Sequence, residues 1–165
     1  MNPATLVTPQ LINHCKDLQL IFVIGATKTG KVIIAKTLAE ALGREILISD
    51  AFIQEYGYDN ALDRLEHELE NRYYSGKKVI IEGILAFRLL RRMARKGWMQ
   101  PDIIIKTICD DETIKHFYQI EGEGDKIKRA LGFNRGLEKI FEEYLELTAG
   151  KRTKILGLNT SIYGR

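Results

Sequence analysis

Apolar residues along this chain follow two rhythms: short unbroken runs, and stripes spaced three or four residues apart. The run LQLIFVIG (18–25), ended by glycine, has the pattern of a strand buried on both faces. Four further runs read as strands: EILIS (45–49), KVIIEG (78–83), DIIIKTIC (102–109) and TKILGL (153–158). Helical spacing fills the gaps between them. Thr8-Pro9 predicts a cap, a first-turn proline and a short helix. From Lys31, the residues Ala35, Leu38, Ala39 and Leu42 share a face, with Gly43 as the stop. Asn60 is expected to cap a helix whose stripe is Leu62, Leu65, Leu69 and Tyr73, ending at Gly76. The stretch 84–96 is helical with Gly97 as its end, and Asp110-Asp111 caps a helix from near Glu112. A last helix runs from Gly136 to Leu147.

Five strands alternating with helices predict a three-layer α/β fold with a five-stranded parallel sheet. The 165 residues read as a single domain spanning 1–165, with no repeat or linker. The polar, glycine-containing EGEGDK (121–126) is the most flexible-looking stretch, and a mobile lid is expected around 121–132.

Composition changes this picture little. With 45% hydrophobic and 28% charged residues, the chain reads as a compact soluble protein. A formal net charge of +3 means that any nucleic-acid role needs a local basic patch. Cys15 and Cys109 offer neither zinc spacing nor a disulfide framework, so a reducing, cytoplasmic setting is expected. The N-terminal stretch lacks the basic-then-apolar order of a signal peptide, and no run approaches the roughly 20 residues needed to span a bilayer. No membrane partner is expected.

The first strand runs into Gly25-Ala26-Thr27-Lys28-Thr29-Gly30-Lys31-Val32, from which a helix leaves. This is G-x-x-x-x-G-K in the strand–loop–helix setting that a phosphate-binding loop requires. Glycines let the backbone curl its N–H groups toward a di- or triphosphate, and the helix N-terminus adds a positive dipole end. Lys31 would reach the β- and γ-phosphates. One position departs from the pattern: the residue after Gly-Lys is Val32, where a Ser or Thr hydroxyl would ligate Mg²⁺. Either water, phosphate and a carboxylate hold the metal alone, or nucleotide binds with weak metal dependence. Thr29 carries a nearby hydroxyl on the loop.

Ligands of open parallel sheets sit beyond the carboxyl ends of the strands. Two acids lie there, Asp50 after the second strand and Glu82 at the end of the third. Asp50 could accept the proton of an attacking hydroxyl, and Glu82 could hold Mg²⁺ through water. Loop and acids together look like phosphoryl transfer to a hydroxyl, with ATP and Mg²⁺ as the expected cofactors, although no base-reading motif separates ATP from GTP.

With these pieces assembled, the chain resembles P-loop kinases of the uridine kinase type. The resemblance rests on GATKTGK (25–31), SDAF (49–52), IIEGILAF (80–87) and KRALGFNRGLEKIFEEY (128–144). It implies a catalytic base at Asp50 with Phe52 beside it, a magnesium-supporting acid at Glu82, and lid arginines at Arg129 and Arg135 followed by Tyr144. It also implies a P-loop NTPase fold and a small hydroxyl-bearing acceptor such as a nucleoside. The chain departs from the family at Val32, in a lid poor in arginine, and in a short segment between the second and third strands.

Weaker signals remain. Arg88, Arg91, Arg92 and Arg95 share one helix face, which is either a solvated basic surface or an anion groove. His14, His67 and His116 show no metal spacing, and Trp98 with Tyr73-Tyr74 reads as packing. Two alternatives stand beside the small-molecule kinase. One is a polynucleotide 5′-hydroxyl kinase using the arginine face on a nucleic acid. The other is a nucleotide-binding regulatory protein with little turnover, suggested by Val32 and the arginine-poor lid.

Overall fold

The structure is a computed structural model that describes residues 2–97, 99–149, 151 and 153–161. Strand β1 (Leu20–Ile24) is buried along its whole length because it lies in mid-sheet with helices on both faces. Its side chains alternate: Leu20, Phe22 and Ile24 enter one core, Ile21 and Val23 the other. β2 (Glu45–Ile48), β3 (Val79–Glu82), β4 (Ile103–Ile108) and β5 (Lys154–Asn159) complete a sheet of order β2-β3-β1-β4-β5, every pair parallel. The expected five-stranded parallel α/β architecture is present.

The helices are α1 (Pro9–Cys15), α2 (Lys31–Leu42), α3 (Ser49–Tyr56), α4 (Tyr58–Tyr74), α5 (Leu85–Lys96), α6 (Asp111–Ile120) and α7 (Ile127–Leu147). Residues of α1 and α2 pack on the Ile21/Val23 face, those of α4, α5 and α7 on the Phe22 face. Capping follows the sequence closely. Thr8 Oγ1 accepts from Leu11 N at 3.2 Å, and Asp110 Oδ1 from Thr113 N at 2.7 Å. Gly43 and Gly97 end their helices in the left-handed conformation. At the opposite edge of the sheet, Asp102 Oδ2 accepts from Gln19 N (2.8 Å) and Leu20 N (2.9 Å), pinning the start of β1.

Three local expectations are corrected. The strand expected over 45–49 ends at Ile48, and Ser49 opens α3. Asn60 lies inside α4, which opens after Gly57. And α7 begins at Ile127 instead of Gly136, so much of the expected lid is helix, preceded only by a short 3₁₀ turn at Gly124–Lys126. Ala130, Ile127 and Leu131 meet Ile114 and Tyr118 of α6, and this packing outweighs the roughly 1 kcal/mol helix cost of each of Gly132 and Gly136. Trp98 lies outside the described residues.

Where β3 ends, Gly83 has φ +124°, and a Cβ there would lie 1.9 Å from Ser49 Oγ. The close approach of the β3 and β2 ends therefore requires glycine. Gly83→Ala should destabilise the protein by about 3 kcal/mol, combining backbone strain with overpacking. Denaturant unfolding measures it, and a loss below about 1 kcal/mol would contradict the tight approach.

Candidate active site

The loop between β1 and α2 is curled by two left-handed residues, Lys28 (φ 62°) and Gly30 (φ 78°). Thr29 is buried; its hydroxyl donates to Ala26 O at 2.7 Å and pairs with the Thr107 hydroxyl at 2.7 Å. A Cβ on Gly25 would lie 1.7 Å from Thr107 Oγ1, so the first glycine of the motif is needed for this hydroxyl pair. Thr107 was not among the residues singled out in the sequence. Its only signal was a polar residue in the apolar run of β4. Because Thr29 is held this way, its hydroxyl is spent inside the loop, and Val32, half-buried, carries none.

Strand register brings the charges together. Glu82 lies level with Val23 of β1 on one side and Ile48 of β2 on the other. Asp50 follows two residues after Ile48, exposed in the first turn of α3. Lys31, the first residue of α2, is 8% exposed, and its Nζ donates to Ala26 O at 3.2 Å. Burial lowers its pKa, while Glu82 and Asp50 hold the proton on. Glu82 is fully buried and neither carboxylate oxygen has a hydrogen-bond partner among the described residues. Desolvation pushes its pKa up to about 7 against the pull of Lys31, with Asp50 adding to the rise. Lys31, Glu82 and Asp50 thus form one electrostatic group at the carboxyl edge of the sheet, as expected from their positions in the sequence.

The orphaned Glu82 oxygens fit the second coordination layer of a hydrated Mg²⁺ near phosphates, where each could accept from a metal-bound water. A first layer made of protein alone does not fit. Among the described residues no cluster of three or more His, Cys, Asp or Glu is arranged for a metal.

The segment after α6 closes on the loop. Lys28 Nζ is ion-paired with Glu121, stands 3.6 Å from Glu123 Oε1, and sits 4.9 Å from the Tyr118 ring centre. Thr27 N donates to Asn134 Oδ1 of α7 at 3.1 Å, and Tyr118 Oη donates to Thr27 Oγ1 at 3.2 Å. The sequence reading overlooked Asn134, although an amide between Ala130 and Leu137 on a buried helical stripe was a visible anomaly. Arg129 and Arg135 are exposed and have no acidic partner among the described residues.

The basic face of α5 is not an open groove. Arg91 and Arg95 pair with Glu143 of α7, Arg92 with Asp63 (2.5 Å) and Lys96 with Glu66 (2.8 Å) of α4. Arg88 instead lies 5.1 Å from the Tyr58 ring centre. These pairs bind three helices to one another. No helix among the described residues is long and apolar enough to cross a membrane.

No family model and no curated protein matches this sequence. Solved structures do match by fold. A candidate kinase from Chloroflexus aurantiacus superposes with TM-score 0.57 at 17% identity, over 88% of this chain and 89% of its own. Shikimate kinase from Acinetobacter baumannii in complex with shikimate gives 0.53 at 17%, over 89% and 86%. The Bacillus subtilis YorR protein in complex with phosphorylated GDP gives 0.53 at 18%, over 86% and 85%. The chain therefore has the fold of the P-loop kinases. The uridine kinase type suggested by sequence has no representative among these three.

Glu82 makes stability depend on pH. Its folded pKa of about 7 lies above the ordinary 4.5, so the native state favours the protonated form. That contribution is fully present below pH 4.5 and is lost as pH rises through 7. Between pH 5 and 8 the nucleotide- and metal-free protein should lose up to about 3 kcal/mol, and Glu82→Gln should flatten the loss. Unfolding titrations at both pH values test this; identical slopes for the two proteins would refute it.

Proposed function

We propose that this chain is an ATP-dependent small-molecule kinase that transfers the terminal phosphoryl group to a hydroxyl. The observation that carries the reading is the buried Lys31 beside Glu82, whose two oxygens have no hydrogen-bond partner among the described residues, at the mouth of a P-loop. Such a pair is costly to build without an anion and its counter-charge to receive.

In this reading the backbone amides of residues 28–32 and Lys31 hold the β- and γ-phosphates, the Thr27 amide being given to Asn134. A cavity of about 220 Å³ bordered by Lys28, Thr29, Gly30, Ile33, Phe117 and Thr160 adjoins the loop and would take the nucleobase. Asp50, exposed next to the buried acid, orients the acceptor hydroxyl and takes its proton. Glu82 would support Mg²⁺ through water, and the ion would supply charge neutralisation between the phosphates. Arg129 and Arg135, both exposed on α7, would close over the transferring group if the 121–132 segment moves as a lid. The acceptor is a nucleoside or a comparable small polyhydroxyl molecule.

A second reading, nucleotide binding with little turnover, is favoured by Val32 together with the loop hydroxyls of Thr27 and Thr29, both already engaged by protein partners. The polynucleotide reading loses its motive, since the α5 arginines that suggested it are mostly paired with acids.

Incubation with γ-labelled ATP, Mg²⁺, a pool of nucleosides, shikimate and a 5′-hydroxyl oligonucleotide tests these readings. Lys31→Ala should reduce transfer by roughly 10²-fold or more while the fold survives. Transfer unchanged in Lys31→Ala would sink the kinase assignment. Val32→Ser separates the first two readings: higher magnesium-dependent turnover would mean that the missing hydroxyl limits catalysis, and no change would mean that the site works without it.

A further inference from the structure

Asn134 is 8% exposed, on the stripe of α7 that otherwise buries Ala130, Leu137, Phe141 and Tyr144. Its amide is divided between two tasks. The oxygen accepts from Thr27 N at 3.1 Å and faces Thr27 Oγ1 at 3.3 Å. A backbone N–H can only donate, so its partner must be the oxygen, and the orientation of the amide is assigned by chemistry. The Nδ2 group is thereby turned away from Thr27, buried, with no acceptor among the described residues.

The neighbourhood of that donor is the phosphate loop itself. The peptide group joining Ala26 to Thr27 gives its N–H to Asn134 and receives Lys31 Nζ on its carbonyl at 3.2 Å. Only one peptide group therefore separates the Asn134 amide from the Lys31 ammonium. A buried donor without an acceptor is unfavourable in an empty site and is explained if an anion completes it. An aspartate could accept from Thr27 equally well but has no donor to offer. An amide is the side chain that accepts from the loop and, with its other half, donates to an oxyanion.

We propose that Asn134 is a ligand of the terminal phosphate of the bound nucleotide, its Nδ2 donating to a phosphate oxygen while its Oδ1 holds Thr27. This inference rests on the reading of the loop as a nucleotide site. It makes α7 report directly on whether a triphosphate is present. The Tyr118–Thr27–Asn134 chain then couples α6 and α7 to the same loop residue.

The test is equilibrium binding of ATP and of ADP, with Mg²⁺, to the wild-type chain, Asn134→Asp and Asn134→Ala, with thermal unfolding of each. Asn134→Asp keeps the acceptor for Thr27 and removes the donor. Asn134→Ala removes both. Both variants should lose roughly tenfold or more in ATP affinity and only a few-fold in ADP affinity, since ADP lacks the terminal group. Equal losses for ATP and ADP, or wild-type ATP affinity in Asn134→Asp, would reduce Asn134 to a tie between helix and loop and overturn the proposal. Should one variant fail to fold, the ATP-to-ADP ratio of the other decides. A wild-type chain that binds neither nucleotide would overturn the nucleotide site itself, an outcome distinct from a normal wild type with unaffected variants.

Discussion

The parallel pairing of β1 between β3 and β4 is the constraint on which the other features depend. A strand buried on both faces must be apolar throughout, and a parallel neighbour can be reached only by a crossover helix. Every strand therefore ends at the same edge of the sheet. The loop after β1, the acid at the end of β3 and the first turn of α3 after β2 meet there although far apart in sequence. Gly83 sets how closely two of these ends approach, because its missing Cβ leaves room for Ser49.

At that edge the electrostatics follow from burial. Lys31 and Glu82 are each taken out of water, which disfavours both charges, and each is partly sustained by the other. Glu82 is left near neutrality with unused oxygens, while Asp50 remains in solvent. In the proposed reading these two carboxylates, in such different surroundings, would take different tasks, Glu82 supporting a cation through water and Asp50 exchanging a proton with a substrate.

The segment from 111 to 134 belongs only loosely to the main core. Its own small cluster is Ile114, Tyr118 and Ala130, separate from the two cores that sandwich the sheet. It holds the loop by packing against Ala26 and by polar contacts: the acids around Lys28, the Tyr118 hydroxyl and the Asn134 amide.

Local chemistry was legible in the sequence. Unbroken apolar runs gave the five strands, Thr8, Asp110, Gly43 and Gly97 marked helix ends, and G-x-x-x-x-G-K after a strand located the loop with Lys31, because these features depend on residues close in the chain. Asp50 and Glu82 were legible too, since a parallel sheet dictates which ends of its strands converge. What only the tertiary structure decided involves partners distant in sequence. Gly132 and Gly136 read as lid and helix start, yet packing of Ile127 and Ala130 against α6 carried the helix through both. The arginine face of α5 read as open, yet Glu143, Asp63 and Glu66 reach it from two other helices. Thr107 and Asn134 touch the loop only because β4 and α7 are brought against it, since a hydrogen bond spanning 78 or 107 residues leaves no periodic trace in sequence.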